Sequence, residues 1–567
     1  MKKRIIFLIL LLLIDGYSLH ADTKPYWIFF RDRGSLNIEN AVAAKIASPE
    51  EPKNMSRRAR ILKSKSLFDE KDIEVNPEYI RAVSEISGGI RTITRFLNGV
   101  SVNLDSETLE KIEKLPFVQQ IKPVSVFRKS PDPEQSGLMK PGVKEKNDGF
   151  KFSDYGDSFE QLNLIGIPQL HQLGYAGNGI TVAILDSGFD GLQHTAFDST
   201  QISHKWDFIE GDGDPAGDNH GTEVLSVIAA LDRGNMIGTA PYATFILART
   251  ENVIGNVEQR IEEDYWVAGI EWADSLGADI ANSSLGYTIF DDGAGYTYND
   301  LDGDTAVTTI AADAAAAKGM IVVVSAGNEG NKSWYYITTP ADGDSVFAVG
   351  SVDLDRNVSS FSSRGPTFDG RIKPDFVTLG EQVHVVDTIR TDAYRYAFGT
   401  SYSAPSFSGA VALILEVNPT WDFGTLRSAL IASAQRAAPD SLYGYGMIDA
   451  FSTSGLKPTE PSISEFRVYD PYPQPVIFND TTRRIYFPVE IPVENRTLTI
   501  RIFNFSGENI QTLEAPISGM GSLRNPGDAP SWDGTNFSGE NVAPGIYYYS
   551  IQLFGYERHT GKIMVMR

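Results

Sequence analysis

Between Ile180 and Gly350 short apolar runs recur with helical stretches between them: Thr181 to Leu185, Phe245 to Arg249, Ile280 to Ser284, Ile321 to Ser325 and Val346 to Gly350. Runs that are apolar at nearly every position suit strands buried on both faces, and their alternation with helices predicts an α/β domain built on a parallel sheet. The pattern differs on either side. Before this region, Pro25 to Phe30 reads as a strand and Asn54 to Asp69 as a helical stretch. A second helical stretch starts at Pro77, Ile90 to Leu97 and Gly99 to Leu104 read as strands, Ser106 caps a helix from Glu107 to Leu115, and Val118 to Val126 is a last strand. This β-α-β-β-α-β order predicts a small split βαβ domain of α+β type. After Leu456-Lys-Pro-Thr-Glu-Pro461, the stretches Arg484 to Glu490, Leu498 to Phe505 and Gly545 to Ile551 alternate as short strands with turn signals between them, which predicts a β-sandwich.

A chain of 567 residues is too long for one core. We divide it into a signal peptide (1–21), an N-terminal α+β domain (22–129), a linker (130–158), the α/β domain (159–455) and a C-terminal β-domain (461–567). Met1-Lys-Lys-Arg4, the apolar run Ile5 to Ile14 and Ala21 have the charge, length and exit residue of a secretory signal peptide, so the protein is expected outside the cell. Pro131, Pro133, Gly137, Pro141 and Gly142 make the linker a region open to processing.

Net charge alters this picture in one respect. At -23, with a sequence pI of about 4.8, the chain lacks the basic face that nucleic-acid binding needs. It also contains no cysteine, which excludes disulfides, thiol catalysis and thiolate-bound metals. Stability outside the cell then falls to core burial or bound ions, and calcium is the candidate. Asp212 and Asp214 in one Gly-rich acidic turn, and Asp302 and Asp304 in another, are the carboxylates to hold it; neither follows the full EF-hand loop, and solvated turn charge explains each equally well.

Four polar residues stand where an α/β fold places chemistry. Asp186 closes the run Thr181-Val-Ala-Ile-Leu185, at the carboxyl end of a buried strand. His220 precedes a helix whose apolar residues Val224, Leu225, Ile228 and Leu231 recur at helical spacing. Ser401 opens a helix from Ser403 to about Glu416, with Pro405 expected in its first turn. Asn328 follows the run ending at Ser325, in a glycine-bearing turn.

Ile180-Thr-Val-Ala-Ile-Leu-Asp-Ser-Gly188, Asn219-His-Gly-Thr-Glu-Val224, Ser325-Ala-Gly-Asn328 and Gly399-Thr-Ser-Tyr-Ser-Ala-Pro405 together resemble the motifs of subtilisin-like serine peptidases, in the family's order of Asp, His and Ser. The resemblance implies a secreted endopeptidase acting on protein or peptide substrates with no cofactor in its chemistry. Ser401 would be the nucleophile, His220 the base, Asp186 its orienting carboxylate, and Asn328 an oxyanion donor. Ala281-Asn-Ser-Ser-Leu-Gly286 is similar to the family segment that pairs with extended substrate, so Ser283, Ser284, Leu285 and Gly286 are the expected substrate-binding residues. Val358 to Pro366 is a further family-like stretch. Phe96-Leu-Asn-Gly-Val100 through Leu115-Pro-Phe-Val118 resembles the family's propeptide, which implies a zymogen inhibited by its own N-terminal domain. Ile502 to Gly507, Trp532-Asp-Gly534 and Gly545 to Tyr549 resemble Ig-like modules that serve as type IX sorting domains in Bacteroidetes-like bacteria, implying partners in secretion or at the cell surface. Rival readings are a peptide ligase of the same fold and an inactive surface-binding protein. An α/β-hydrolase esterase would need the order Ser, acid, His, which this chain lacks.

Overall fold

The computed structural model describes residues 23–34, 42, 54–62, 67–124, 150–252, 262–288, 295–434, 436, 438–457, 466–478, 484–491, 496–517, 521–523, 529–553 and 555–566. The signal-peptide region and linker residues 130–149 lie outside them. The described residues fall into two compact units: residues 23–34, 75–93 and 98–124 form the first, and the remainder form the second.

In the first unit β1 (Lys24–Phe30) lies inside an antiparallel sheet ordered β2 (Thr92–Thr94), β3 (Gly99–Leu104), β1, β4 (Val118–Pro123). The helix α1 (Asn54–Ile61) follows β1 in the chain but belongs to the second unit. Helices α2 (Pro77–Ser87) and α3 (Ser106–Glu113) complete the first unit, where Ile28, Val83, Val100, Val102 and Ile112 share one core. The expected cap of α3 moves back one residue: Asp105 accepts the Thr108 N–H at 2.8 Å and the Thr108 hydroxyl accepts the Asp105 N–H at 3.0 Å, so Ser106 is the first helical residue. An Asp that can form this reciprocal pair outcompetes the serine beside it.

The second unit contains the predicted parallel sheet. Its strands in chain order are β5 (Thr181–Asp186), β6 (Gln201–Asp207), the hairpin β7 (Leu231–Asp232) and β8 (Met236–Ile237), then β9 (Thr244–Arg249), β10 (Ile280–Ser283), β11 (Ile321–Ser325), β12 (Val346–Val352) and β13 (Phe376–Leu379). Seven of them pair as β13-β12-β11-β10-β5-β9-β6, every neighbour parallel. Strands β10 to β12 are buried along their whole length, as the unbroken apolar runs require, while the edge strand β6 is largely exposed. Helices α4 (Phe159–Asn163), α5 (Ile167–Gln172), α6 (His220–Ala229), α7 (Glu262–Ser275), α8 (Val307–Ala317), α9 (Thr400–Val417), α10 (Phe423–Ser433) and α11 (Ala450–Ser454) accompany the sheet. Phe407 on α9 packs on Phe347 and Phe376 with ring centroids 5.3 and 5.5 Å apart, so α9 runs through the middle of the core. The hairpin β14 (Val383–Val386) and β15 (Tyr394–Ala397) leads into α9.

Chain order reverses at β5: β9 and β6 lie on one side of it, β10 to β13 on the other. Such a switch opens a crevice outside the carboxyl ends of the strands. In register, Leu185 lies beside Ser283 and Ser283 beside Val324, so Asp186, Ser284 and the loop from Ser325 to Asn328 emerge at one rim.

Residues 95–97, expected as part of a strand, turn instead: the Phe96 N–H and the Arg95 N–H go to the Glu271 carboxylate at 2.9 and 3.3 Å, both groups lying within the second unit. At the C-terminus, β16 (Arg467–Val468), β17 (Val476–Ile477), β18 (Ile485–Tyr486), β19 (Val489–Ile491), β20 (Arg496–Phe503), β21 (Asn509–Ile517), β22 (Gly521–Leu523), β23 (Ser531–Trp532), β24 (Gly545–Leu553) and β25 (His559–Met566) form a five-stranded sheet, a three-stranded sheet and a short pair around one core. The single strand expected over 484–490 is two, broken at Phe487-Pro488, where proline has no N–H for a ladder. This β-sandwich meets α4 through the Phe159 and Tyr472 rings, 4.7 Å apart.

Candidate active site

Asp186 is the last residue of β5, fully buried, and its Oδ1 accepts from His220 Nδ1 at 2.6 Å and from the Ser187 N–H at 2.8 Å. A buried carboxylate needs such donors. His220 is the first residue of α6, and it is the close approach of that helix end to β5 that permits the pair. Gly221 is obligatory there: a Cβ would strike the Gly188 carbonyl and lie 2.9 Å from Asp186 Cβ. With Nδ1 donating to Asp186, the tautomer that makes Nε2 a proton acceptor is selected.

Ser401 is the second residue of α9, which begins three residues earlier than expected, directly after Gly399 (φ +142°). Pro405 is consequently inside the helix, past its first turn. Proline cannot donate to the carbonyl four residues back, which is that of Ser401, and the Ser284 hydroxyl donates to this carbonyl instead at 2.8 Å. One missing N–H thereby ties the serine to the segment after β10. The Ser401 hydroxyl lies 3.4 Å from the Ser284 carbonyl, and the Ser401 N–H is among the donors a helix start leaves unpaired within the helix.

Asn328 is positioned through Thr400. Its Oδ1 accepts both the Thr400 N–H and the Thr400 hydroxyl at 3.0 Å, and the Gly327 N–H donates to the same hydroxyl at 3.2 Å. These two bonds to the carboxamide oxygen fix the orientation of the Asn328 side chain. The stretch from Val358 to Pro366 braces this loop: the Ser363 hydroxyl accepts the Glu329 N–H at 3.0 Å, the Ser363 N–H donates to the Gly327 carbonyl at 2.9 Å, and the Gly330 N–H donates to the Phe361 carbonyl at 2.8 Å.

Of the expected substrate-binding residues, the Ser283 hydroxyl points into the domain and accepts from Trp266 Nε1 at 2.9 Å; Ser284 is used as described; Leu285 is buried; Gly286 alone is exposed. Side-chain recognition by this segment therefore has little to work with beyond its backbone and the space beside Gly286. That space is occupied. A Cβ at Gly286 would collide with the Thr338 hydroxyl, and one at Gly327 would lie 2.7 Å from Thr338 Cγ2, so Thr338 is wedged between the two glycines. Its N–H is held by the Ala326 carbonyl at 3.1 Å, and its buried hydroxyl has no hydrogen-bond partner among the described residues. The sequence gives no sign of this contact, since Thr338 lies in a loop with no motif of its own.

A second group missed from sequence adjoins His220. Glu223, one turn along α6 and buried, accepts from the Tyr402 hydroxyl at 2.7 Å and from Arg395 Nε at 3.0 Å, and the Tyr402 ring centroid lies 5.9 Å from that of His220. Burial pushes the Glu223 carboxyl up from its ordinary range, while Arg395, the Tyr402 hydroxyl and the nearby His220 hold it down. Both Glu223 and Tyr402 stand inside the quoted motif windows.

The metal candidates hold turns. Asp212 accepts the Asp214 N–H at 2.9 Å, Asp214 accepts the Ala216 N–H at 3.4 Å, and Asp302 accepts the Asp304 and Thr305 N–H groups at 2.9 and 2.8 Å. Among the described residues no three His, Asp or Glu side chains converge as ion ligands. No helix among the described residues is long and apolar enough to cross a membrane.

Fold and rim geometry together define a peptidase of the subtilisin type. The subtilase family matches residues 177–446, and the peptidase S8 propeptide domain of Bacteroidota matches residues 25–136. Subtilisin of Bacillus pumilus is 31% identical over 292 residues, which is 51% of this chain and 95% of that protein. Subtilisin E of Bacillus subtilis (strain 168) is 28% identical over 371 residues, 65% of this chain and 83% of its own length. Fervidolysin from Fervidobacterium pennivorans, a keratinolytic enzyme related to subtilisin, shares the fold with a TM-score of 0.53 at 20% identity, over 94% of this chain and 71% of its own. The chain belongs to the subtilase family of serine peptidases.

Proposed function

We propose that the protein is a secreted serine endopeptidase, made as a zymogen, that cleaves peptide bonds through Asp186, His220 and Ser401. The observation that carries this reading is the 2.6 Å bond from His220 Nδ1 to the buried Asp186, made at the rim where Ser401 and Asn328 also emerge. As the Ser401 oxygen attacks the scissile carbonyl, its proton passes to His220 Nε2, and Asp186 stabilises the imidazolium. Negative charge developing on the carbonyl oxygen is received by the Ser401 N–H and Asn328 Nδ2. Collapse breaks the C–N bond as His220 returns the proton to the departing amine; water then attacks the acyl-enzyme by the same route. Residues 22–129 inhibit the enzyme in the uncut chain, residues 1–21 direct export, and the C-terminal β-sandwich acts as a type IX sorting module.

The test is active-site labelling. A fluorophosphonate probe should label Ser401 in the wild type and nothing in Ser401→Ala, and the variant should accumulate uncut chain in a protease-deficient host. Full proteolytic activity in Ser401→Ala would overturn the assignment.

A further inference from the structure

At the end of the sheet opposite Asp186, the second unit holds a piece of the N-terminal region. Helix α1 lies against the entry to β5, β10 and β11, the length of a six-residue strand or about 20 Å from the catalytic rim. Two of its arginines, Arg57 and Arg58, are buried, which is unusual for that residue and requires partners. Both bind Asp274 near the end of α7: Arg57 at Oδ1, and Arg58 at Oδ2 at 2.7 Å. Arg57 also donates to the Ala278 carbonyl, and Arg60 pairs with Asp279, whose other oxygen accepts the Thr181 N–H that begins β5, at 2.9 Å. The charges then run the other way. Lys318, after α8, donates to Asp69 and Asp72 at 2.8 and 2.7 Å, and Asp72 in turn accepts from Arg58 at 2.9 Å. Ile61 covers Gly319, where the chain has φ +86° and comes close enough that an added Cβ would lie 3.1 Å from Ile61 Cγ2.

We propose that residues 54–62 and 67–72 form a docking arm whose binding site is the surface formed by Asp274, Asp279, Lys318 and Gly319, and that the arm keeps the propeptide region attached to the peptidase after the linker is cut. The ligand class of this surface is a short helix carrying paired arginines and followed by an acidic pair. Charge reciprocity supports it: the peptidase contributes two carboxylates and one ammonium, and the arm answers with three guanidiniums and two carboxylates. Each buried charge has an opposite partner, the condition under which such a network specifies one geometry. The arm lies within residues 25–136, matched by the propeptide family, and is continuous in the chain with both sides of the first unit. Cutting residues 130–149 therefore breaks one covalent link and leaves these contacts intact. Release of the N-terminal region then requires the arm to dissociate or to be cut itself.

The experiment uses the full chain carrying Ser401→Ala, with a site for an unrelated sequence-specific protease placed in the linker, cut by that protease and run on gel filtration without denaturant. Because the cut is made by the added protease and the readout is retention, the result does not depend on the catalytic assignment; a wrong triad would show in labelling, a wrong arm only here. The cut N-terminal fragment is expected to co-elute with the peptidase and to leave at least roughly 100-fold faster once Arg57→Ala and Arg58→Ala are combined. Should that pair perturb folding, Arg60→Glu, at a partly exposed pair, and Ile61→Asp are expected to speed release in the same sense. Departure of the wild-type fragment as fast as that of the variants, or equal retention in all of them, would overturn the proposal.

Discussion

Thr338 offers a quantitative test of how this peptidase chooses its substrates. Its side chain is wedged between Gly286 and Gly327; if the segment ending at Gly286 pairs with substrate, Thr338 limits the depth of a pocket for the residue before the cleaved bond. Replacing Thr338 by Gly removes three heavy atoms, and by Ala two. Its hydroxyl has no partner among the described residues, so its loss leaves no stranded donor or acceptor. If each vacated atom admits one further substrate carbon at ~0.8 kcal/mol, Thr338→Ala should favour leucine over alanine at that position by about 1.6 kcal/mol, or roughly 15-fold. By the same reckoning Thr338→Gly should favour it by about 2.4 kcal/mol, or roughly 60-fold. The assay is kcat/KM on two chromogenic peptides that differ only in that residue, for wild type and both variants. The wild type should prefer alanine. A leucine-to-alanine ratio that fails to rise in the order Thr, Ala, Gly would refute the assignment of Thr338 to the pocket.

Three further outcomes follow from the geometry. Thr400→Val removes the hydroxyl that joins Asn328 to Gly327 and should lower kcat by about 10- to 100-fold with KM little changed, short of the ~10²–10³-fold known for outright loss of an oxyanion donor in subtilisins; an unchanged kcat would show that Asn328 needs no such support. Glu223→Gln removes a negative charge near His220 and leaves Arg395 without its counter-charge, and both changes disfavour imidazolium, so the acid limb of the kcat/KM profile should move to lower pH, whereas a shift to higher pH would contradict the electrostatic role. Burial at the contact with the β-sandwich raises the Glu160 carboxyl to about 7. The fold thus favours the protonated form, and the stability it confers is complete below the ordinary carboxylate pKa and lost as pH rises through about 7. Denaturant unfolding of Ser401→Ala should show about 3 kcal/mol of this loss between pH 4.5 and 8, and Glu160→Gln should abolish it; equal pH dependence in both would refute the coupling.

Much of the catalytic domain was legible because its elements are locally determined. Unbroken runs such as Ile321 to Ser325 can only be buried strands in this setting, and Asp186 follows directly from being the polar residue at the end of one. The glycine in Asn219-His-Gly has its explanation in the structure, where α6 touches β5 too closely for a Cβ. Boundaries were less legible where a distant group intervenes. The start of α9 was misplaced because the normal cost of an interior proline is offset by Ser284, over a hundred residues away. The end of β2 was misplaced because Glu271 captures the N–H groups that would have continued the ladder.

What stayed hidden is of a different kind. Glu223 and Tyr402 sit within two of the most readable stretches of the chain, yet each looks unremarkable alone: an acid in a first helical turn is good electrostatics, and an aromatic residue in a helix is core material. Their meaning lies in the pairing, which needs α6 and α9 packed side by side and Arg395 brought in from β15. The same holds for α1, where Arg57 and Arg58 read as solvated charges until Asp274 is known to face them. A buried charge and an exposed one have identical sequence signatures, because what separates them is the burial of the partner. The residues expected to carry chemistry in this protein are therefore marked by local rules, whereas the buried charges of Glu223 and of α1 acquire their meaning from contacts between distant parts of the chain, as Glu223 and Tyr402 do at 179 residues apart.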